Sequence, residues 1–471
     1  MAIDGPVQKR LEELLSAIEL ASPQSVANFV DRCFTPENNE RQKLSKRITT
    51  FMDWKTRGGF AQLSVSIVEP NYIEVLVQQR YSAERWRLGV KIEEGEPYRI
   101  DEILLGRAPL DPQSSEEPDA ALAQRVVDEA GALSERNLFS GVVLVARHSN
   151  ILAEGAFGLA NRDFGIPNTM STRFNVASLS KPWTAVAIAQ LAEEGALDFE
   201  DTAGKYVEYP DAASAKAIKI KHLLSHTSGL GTYFNEKFAQ TPRHFIRSVD
   251  DYLGLTAGEP PVFEAGEKWD YSNTGMVLLG KIIEEITGRS YFDHMRTAVF
   301  EPAGMDTAEF LFLDHVNDQV AIGYTRAWDL SGEIWTNNLF ENFVGGCPAG
   351  GGYGTALDIH RFAEALKAGK LVSNAMVELL TNAKPDINSP FYGYGFSVHP
   401  ERALFGHSGG MVGCSANLDI ILDPPGWTVI ILANDLGMRP VALKARQILG
   451  VTVPEADEAR AYLPRGGLSA R

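Results

Sequence analysis

Cysteine is scarce in this chain. Cys33, Cys347 and Cys414 are the only three in 471 residues. They are scattered and odd in number, so they cannot form a disulfide framework, and no pair has metal-ligand spacing. Basic charge is also short: 44 Lys+Arg stand against 61 Asp+Glu, a net charge of −17. A nucleic-acid binder needs a basic footprint, so no nucleic-acid partner is expected. Residues 1–111 carry −2 of this charge and the remainder −15, which favours solubility and mildly repels polyanions. No apolar run approaches the roughly 18 residues of a spanning helix, so no membrane span is expected. The opening MAIDGPVQKRLEELL lacks a basic end, an apolar core and a small-residue cleavage site. No secretory signal is read there. The chain is expected to be cytoplasmic as written, or periplasmic or secreted if a leader has been removed.

What is present is ordinary globular composition: 44% hydrophobic, 22% charged, 24 Pro and 42 Gly. That excludes a largely disordered, collagen-like or coiled-coil chain. The length fits two or three domains at ~150 residues each. The stretch APLDPQSSEEPDA, residues 108–120, has linker composition. It separates a unit at 1–107 from one at 121–455, with a loose tail at 456–471. In the first unit, Val7, Leu11, Leu14, Leu15 and Ile18 follow a helical period, and Ser25–Phe34 is a second helix. From Phe60 to Leu105 the pattern alternates in four runs broken by short polar turns, which predicts an antiparallel meander. The order of elements resembles the cone-shaped helix-plus-curved-sheet folds related to nuclear transport factor 2.

The second unit opens with a helix over Ala121–Leu138 and two strands, 140–148 and 150–158. A long helical and loop-rich stretch follows from Ser178 to about residue 398. Strands return at 402–409, 415–423 and 427–435, with a turn at Asp423–Gly426, and helix Val441–Leu449 closes the unit. Two strands, an excursion and three more strands predict an α+β fold. Its core is one antiparallel sheet of five or more strands with flanking helices and a large helical insertion. A cleft between sheet and insertion is the natural place for chemistry.

Three motifs bear on that chemistry. Ser178-Leu179-Ser180-Lys181 places a hydroxyl and an ammonium one helical turn apart. A serine is a poor nucleophile until its proton is taken, and a desolvated lysine of lowered pKa can help take it. Pro182 suits the first helical turn, and the apolar helix Thr184–Glu194 follows. Tyr271-Ser272-Asn273 precedes the helical stretch TGMVLLGKIIEEITG. A phenol near a cationic lysine can exchange a proton with serine and leaving group, and the asparagine can hold a substrate amide and the lysine. Gly406-His407-Ser408-Gly409-Gly410 lies in strand context, where an edge offers N–H groups to a carbonyl and glycines allow close approach.

Gly406–Gly410 also matches G-x-S-x-G, a nucleophile elbow. That reading fails twice. An elbow needs strand–turn–helix, and strands flank this one on both sides. It also needs a histidine after the serine, and His407 is the last in the chain. His222 and His226 lie four apart without the glutamate of H-E-x-x-H, so packing rather than zinc is expected. Gly345–Gly354 (GGCPAGGGYG) has no G-K-[ST] and is read as a loop bordering the cleft.

Five segments in order resemble the serine β-lactamase / penicillin-binding protein superfamily. They are FGIPNTMSTRFNVASLSK (164–181), LLSHTSGL (223–230), GEKWDYSNTGMVLLGKIIEEITG (266–288), PAGGGYGTALDIHRFAEAL (348–366) and FGHSGGMVG (405–413). The nearest branch is class C-related, with DD-carboxypeptidases, D-aminopeptidases and family VIII carboxylesterases. The resemblance covers roughly residues 120–450. It implies a β-lactamase/transpeptidase-like fold in which Ser178 is acylated. Lys181 and Tyr271 then form the proton-transfer pair, Asn273 supports them, and the N–H groups of Ser178 and Gly410 form an oxyanion hole. Which of Lys181 and Tyr271 is the acylation base stays open. His407, Gly409 and Gly410 are then substrate-binding residues. No metal or organic cofactor is expected.

One departure matters. Where β-lactamases carry K-T-G, this chain has His407-Ser408-Gly409, so a fixed cation is replaced by an imidazole largely neutral at pH 7. Neutral esters and amides should then be preferred over β-lactams. Protonation of His407 near pH 6 should restore some affinity for carboxylates unless burial lowers its pKa. The expected activity is hydrolysis of esters, amides or peptides with small acyl or D-amino-acid groups. The alternatives are a true β-lactamase and a non-catalytic binding protein that keeps the penicillin-recognising fold. The expected partner is a small-molecule ester or peptide substrate, and association into a homo-oligomer is left open.

Overall fold

The computed structural model describes residues 5–451, apart from residues 83, 110–115, 400, 402, 423 and 425. The middle of the expected linker, part of the turn at 423–426 and the tail at 456–471 lie outside the described residues.

Four helices open the chain: α1 (Pro6–Glu19), α2 (Pro23–Cys33), α3 (Pro36–Arg41) and α4 (Leu44–Thr56). Four strands follow, β1 (Phe60–Glu69), β2 (Tyr72–Gln79), β3 (Arg85–Ile92) and β4 (Ile100–Ala108). They pair in sequence order, all antiparallel. The inward residues Val75, Val77, Leu88 and Val90 pack against Leu11, Leu14, Phe29 and Phe51 of the helices. Helices α3 and α4 carry little periodic signal. Only Arg47, Ile48 and Phe51 of α4 are buried, and its N-cap, Lys43, makes no side-chain cap bond. Packing against the sheet, not local propensity, holds α4.

After α5 (Asp119–Ser134) come β5 (Gly141–Arg147) and β6 (Asn150–Phe157). The chain then leaves for the insertion, which contains α6 (Lys181–Glu193), α7 (Asn273–Thr287), the hairpin β7 (Tyr324–Asp329) and β8 (Gly332–Asn337), and α8 (Ala356–Lys367). It returns as β9 (Ser397–His399), β10 (Leu404–Met411), β11 (Cys414–Ile421) and β12 (Trp427–Ala433), and ends on α9 (Met438–Ile448). The sheet has six strands in the order β9-β10-β11-β12-β5-β6. Returning strand β12 pairs antiparallel with β5 from before the excursion, Ile430 opposite Leu144. Both faces are covered, so the central strands are nearly continuous apolar runs. Val143, Val145, Val429 and Ile431 pack under α5 and α9. Val142, Leu144, Ile430 and Leu432 face the insertion and α6. The three cysteines are free and buried. Among the described residues no helix is long and apolar enough to cross a membrane.

Linker composition leads one to expect few contacts between the two units, yet the β7–β8 hairpin reaches across. Trp328 is 5% exposed and belongs to the core of the N-terminal unit. Its N–H donates to Thr49 Oγ1 and its carbonyl accepts from the same hydroxyl, both at 3.1 Å. A second link joins Arg439 Nε to Glu84 Oε1 at 3.2 Å.

Candidate active site

The segment before α6 is strained into place. Phe174–Asn175 pairs with Tyr353–Gly354, and Asn175 Oδ1 accepts the Ala177 N–H at 2.8 Å. Ala177 sits at φ +46°, in the left-handed region that residues with a Cβ avoid. A 3-10 turn, Ala177–Ser180, then runs into α6. The two serines of the turn diverge. Ser180 is buried, its hydroxyl donating to Ala177 O at 3.0 Å and accepting the Gly352 N–H at 3.1 Å. Ser178 lies instead on the wall of a 460 Å³ cavity with Tyr271, Asn273, Ser408, Gly409 and Gly410.

Helix α6 is apolar on nearly every side and buried from Lys181 through Ala189. Lys181, its first residue, is therefore 0% exposed. Its Nζ meets Ser178 Oγ at 3.0 Å, Asn273 Oδ1 at 2.9 Å and the carbonyl of Ala349. No carboxylate is among these partners. Burial pushes the amine down to about 7, since charge in a dry site is disfavoured. The partners then dictate the geometry of the neutral amine. Two of the three, the Asn273 and Ala349 oxygens, only accept, so they take its two N–H groups. The lone pair is left toward the Ser178 hydroxyl. Asn273 Nδ2 donates to Thr232 Oγ1 at 3.3 Å, which keeps the amide oxygen turned to Lys181.

Tyr271 and Asn273 straddle the start of α7. Ser272 caps the helix, its hydroxyl accepting the Gly275 N–H at 2.9 Å, a bond worth ~1 kcal/mol. The ring of Tyr271 packs on His226 with centroids 4.3 Å apart, and Lys181 Nζ lies 4.7 Å from its centroid. Burial raises the phenol well above its ordinary pKa, and a hydrogen bond with Ser178 opposes this only in part. Tyr271 is therefore a neutral donor in the resting site. His226 Nδ1 accepts the Ser272 N–H at 3.2 Å, and its ring also packs on Tyr392 at 4.5 Å. His222 is engaged separately, Nδ1 accepting the Lys219 N–H at 3.2 Å. Among the described residues no group of three or more His, Cys, Asp or Glu is placed to hold a metal ion.

Strand β10 brings Gly409 against the turn. A Cβ on Gly409 would lie 2.2 Å from Val176 O and 2.8 Å from Ser178 N, distances that backbone atoms cannot accommodate without moving. Gly409→Ala is therefore expected to shift the turn carrying Ser178. We expect kcat to fall at least tenfold, with a lowered Tm, checked by steady-state kinetics and thermal melting. Wild-type kcat in this variant would show that the close approach is dispensable. Ser408 also reaches the cavity, but from the middle of β10 between β9 and β11, and not from a strand–turn–helix elbow.

His407 differs from expectation. It is 4% exposed, and the residues of β10 lining the cavity are Ser408, Gly409, Gly410 and Met411 instead. Its Nε2 pairs with the Tyr392 hydroxyl at 2.8 Å and its Nδ1 meets the Ser408 carbonyl. Burial and the nearby Lys181 push it down to about 3. The exception allowed for burial therefore applies: this imidazole stays neutral near pH 6, and no recovery of carboxylate binding is expected there.

Several contributors have no motif of their own. The Gly-rich loop at 345–354 borders the cavity through Ala349, Gly350 and Gly351, but its chief contribution is the Ala349 carbonyl on Lys181. The signal for His226 was its place in LLSHTSGL. Tyr233, Phe234 and Phe343 supply an apolar wall.

A sheet, a helical insertion and a cleft with serine, buried lysine and tyrosine are the arrangement of a serine hydrolase of the β-lactamase/transpeptidase fold. The comparisons agree. The family model described as Beta-lactamase matches residues 122–452. The chain is 34% identical over 321 residues to Penicillin-binding protein 4* of Bacillus subtilis (strain 168), covering 64% of this chain and 69% of that one. It is 28% identical over 376 residues to Esterase EstB of Burkholderia gladioli, covering 69% and 94%. The crystal structure of a penicillin-binding protein from Bacillus halodurans superposes with a TM-score of 0.60 at 27% identity, covering 70% of this chain and 98% of that one. This chain belongs to the β-lactamase family.

Proposed function

We propose that the protein is a serine hydrolase that forms an acyl-enzyme on Ser178 and cleaves esters or amides of small acyl or D-amino-acid-containing substrates. The observation that carries this is the Lys181 amine. It is desolvated, lowered to about 7 and 3.0 Å from Ser178 Oγ, with its N–H groups committed elsewhere. Lys181 takes the Ser178 proton as Oγ attacks the carbonyl carbon. The N–H groups of Ser178 and Gly410 receive the developing oxyanion. Tyr271 protonates the leaving oxygen or nitrogen and regains its proton through Lys181. Water then releases the acyl group by the same steps in reverse. Likeness to a protein named as an esterase supports ester cleavage.

Neutral short-chain esters are expected to exceed β-lactams, because the β10 position of the usual fixed cation holds a buried neutral imidazole. The test is kcat/KM for p-nitrophenyl butyrate, a D-alanine anilide and nitrocefin between pH 6 and 8. The ester should lead, and the nitrocefin-to-ester ratio should not rise toward pH 6. Nitrocefin turnover at or above the ester rate would overturn this preference and make the protein a β-lactamase.

A further inference from the structure

His226 is held in two unfavourable ways at once. Its backbone sits at φ +60°, in the left-handed region that few residues with a Cβ enter. Its side chain is 0% exposed. Because Nδ1 accepts the Ser272 N–H, the neutral ring carries its proton on Nε2, and that buried nitrogen has no hydrogen-bond partner among the described residues. A strained backbone and an unpaired donor at one residue persist only where the surroundings over-determine them. Those surroundings are the segment that carries Tyr271. The His226 carbonyl accepts the Asp270 N–H at 2.9 Å, and the imidazole accepts the Ser272 N–H at 3.2 Å. One residue thus grips the peptide groups on both sides of Tyr271. Its ring also packs on Tyr271 at 4.3 Å and on Tyr392 at 4.5 Å, with Trp269 edge-on at 6.1 Å. The Tyr392 hydroxyl is tied in turn to His407 of β10 at 2.8 Å.

We propose that His226 is the positioning residue for Tyr271, fixing where its hydroxyl stands relative to the leaving group. The proposal deepens the hydrolase reading and rests on it for the role of Tyr271 as proton donor. The left-handed conformation at 226 lets the carbonyl and the side chain of a single residue reach the same short segment. An imidazole suits this task only while Nδ1 is unprotonated. Burial, with Lys181 and His407 nearby, keeps it so by holding the ring well below its ordinary pKa. The stacked rings then prevent the imidazole from turning away, so the grip on Tyr271 is rigid.

A misplaced Tyr271 has a signature that a general loss of structure lacks. A nitrophenolate departs without a proton, whereas an alkoxide needs one from the general acid. The test compares kcat for p-nitrophenyl butyrate and for ethyl butyrate, with circular dichroism and thermal melting as controls. His226→Gly removes the imidazole yet adopts φ +60° freely. It is expected to lose at least tenfold more on ethyl butyrate than on p-nitrophenyl butyrate. His226→Asn tolerates the left-handed region and returns an acceptor near the Nδ1 position, so it should recover most of that difference. In a Tyr271→Phe background, His226→Gly should leave the ratio of the two rates unmoved, because the group it positions is gone. Equal losses on both esters, or a selective loss that persists in Tyr271→Phe, would overturn the proposal. A His226→Gly chain that no longer folds would overturn it too, by assigning His226 to the scaffold instead. Failure of the hydrolase reading looks different: the native protein would then turn over neither ester, and the proposal would fall with it.

Discussion

Ser178→Ala is expected to lose roughly 10³-fold or more in kcat/KM for p-nitrophenyl butyrate while keeping the fold. The hydroxyl at 178 is the one that meets a desolvated amine on one side and a phenol on the other. Its neighbour Ser180 cannot take over, because both of its hydrogen-bonding roles are spent on Ala177 and Gly352. The small volume change in a partly exposed turn leaves stability nearly unaltered. Ser408→Ala should lose far less, since among the described residues no base is hydrogen-bonded to that hydroxyl in the manner of Lys181. The check is steady-state kinetics on both variants with circular dichroism as the control for folding. If Ser178→Ala kept more than a tenth of the activity, or if the ranking reversed, the assignment of the nucleophile would fall.

Lys181→Ala and Tyr271→Phe are each expected to cost at least ~10²-fold, with the double variant little worse than the poorer single one. Groups that pass one proton within one network act as a unit, so their losses do not multiply. The pH profile identifies which of them is the base. A general base works unprotonated, so below its pKa the rate falls about tenfold per pH unit. With Lys181 at about 7, kcat/KM should rise with pH across neutrality and level off above 8. The two histidines beside the site cannot produce that limb. Burial first, and the nearby Lys181 second, hold His407 at about 3 and His226 well below the ordinary imidazole value. Tyr271 lies far on the other side of neutrality. A limb near 7 that survives in Lys181→Ala would remove the lysine as base. Fully multiplicative losses would remove the shared network.

Much of the site was legible because its chemistry is local. S-x-x-K on a helix start sets hydroxyl and amine one turn apart whatever the rest of the fold does. Tyr271 and Asn273 flank a helix cap, Ser272, that can be read from residue type. The late strands were legible from their apolar runs, and the two-then-three spacing implied one antiparallel sheet, but the pairing of β12 with β5 came only with the structure. What could not be read is tertiary. The third partner of Lys181 is a main-chain carbonyl at Ala349, which carries no side-chain signature. His407 sits in a strand that looks exposed to a cleft, yet Tyr392 from the preceding segment claims its ring. Helix α4 escaped because few of its residues are buried. Trp328 packs in the half of the chain where it does not belong by sequence, and linker composition suggests a separation that this side chain bridges.

The central claim is that one activated serine, Ser178, carries the chemistry. A fluorescent alkyl phosphonate that mimics the acylation transition state tests it most directly, read by mass spectrometry of the digested protein. One adduct per chain is expected, on the peptide containing Ser178. It should form faster as pH rises through 7 and be lost in Ser178→Ala. An adduct on Ser408, or labelling that persists in Ser178→Ala, would contradict the account.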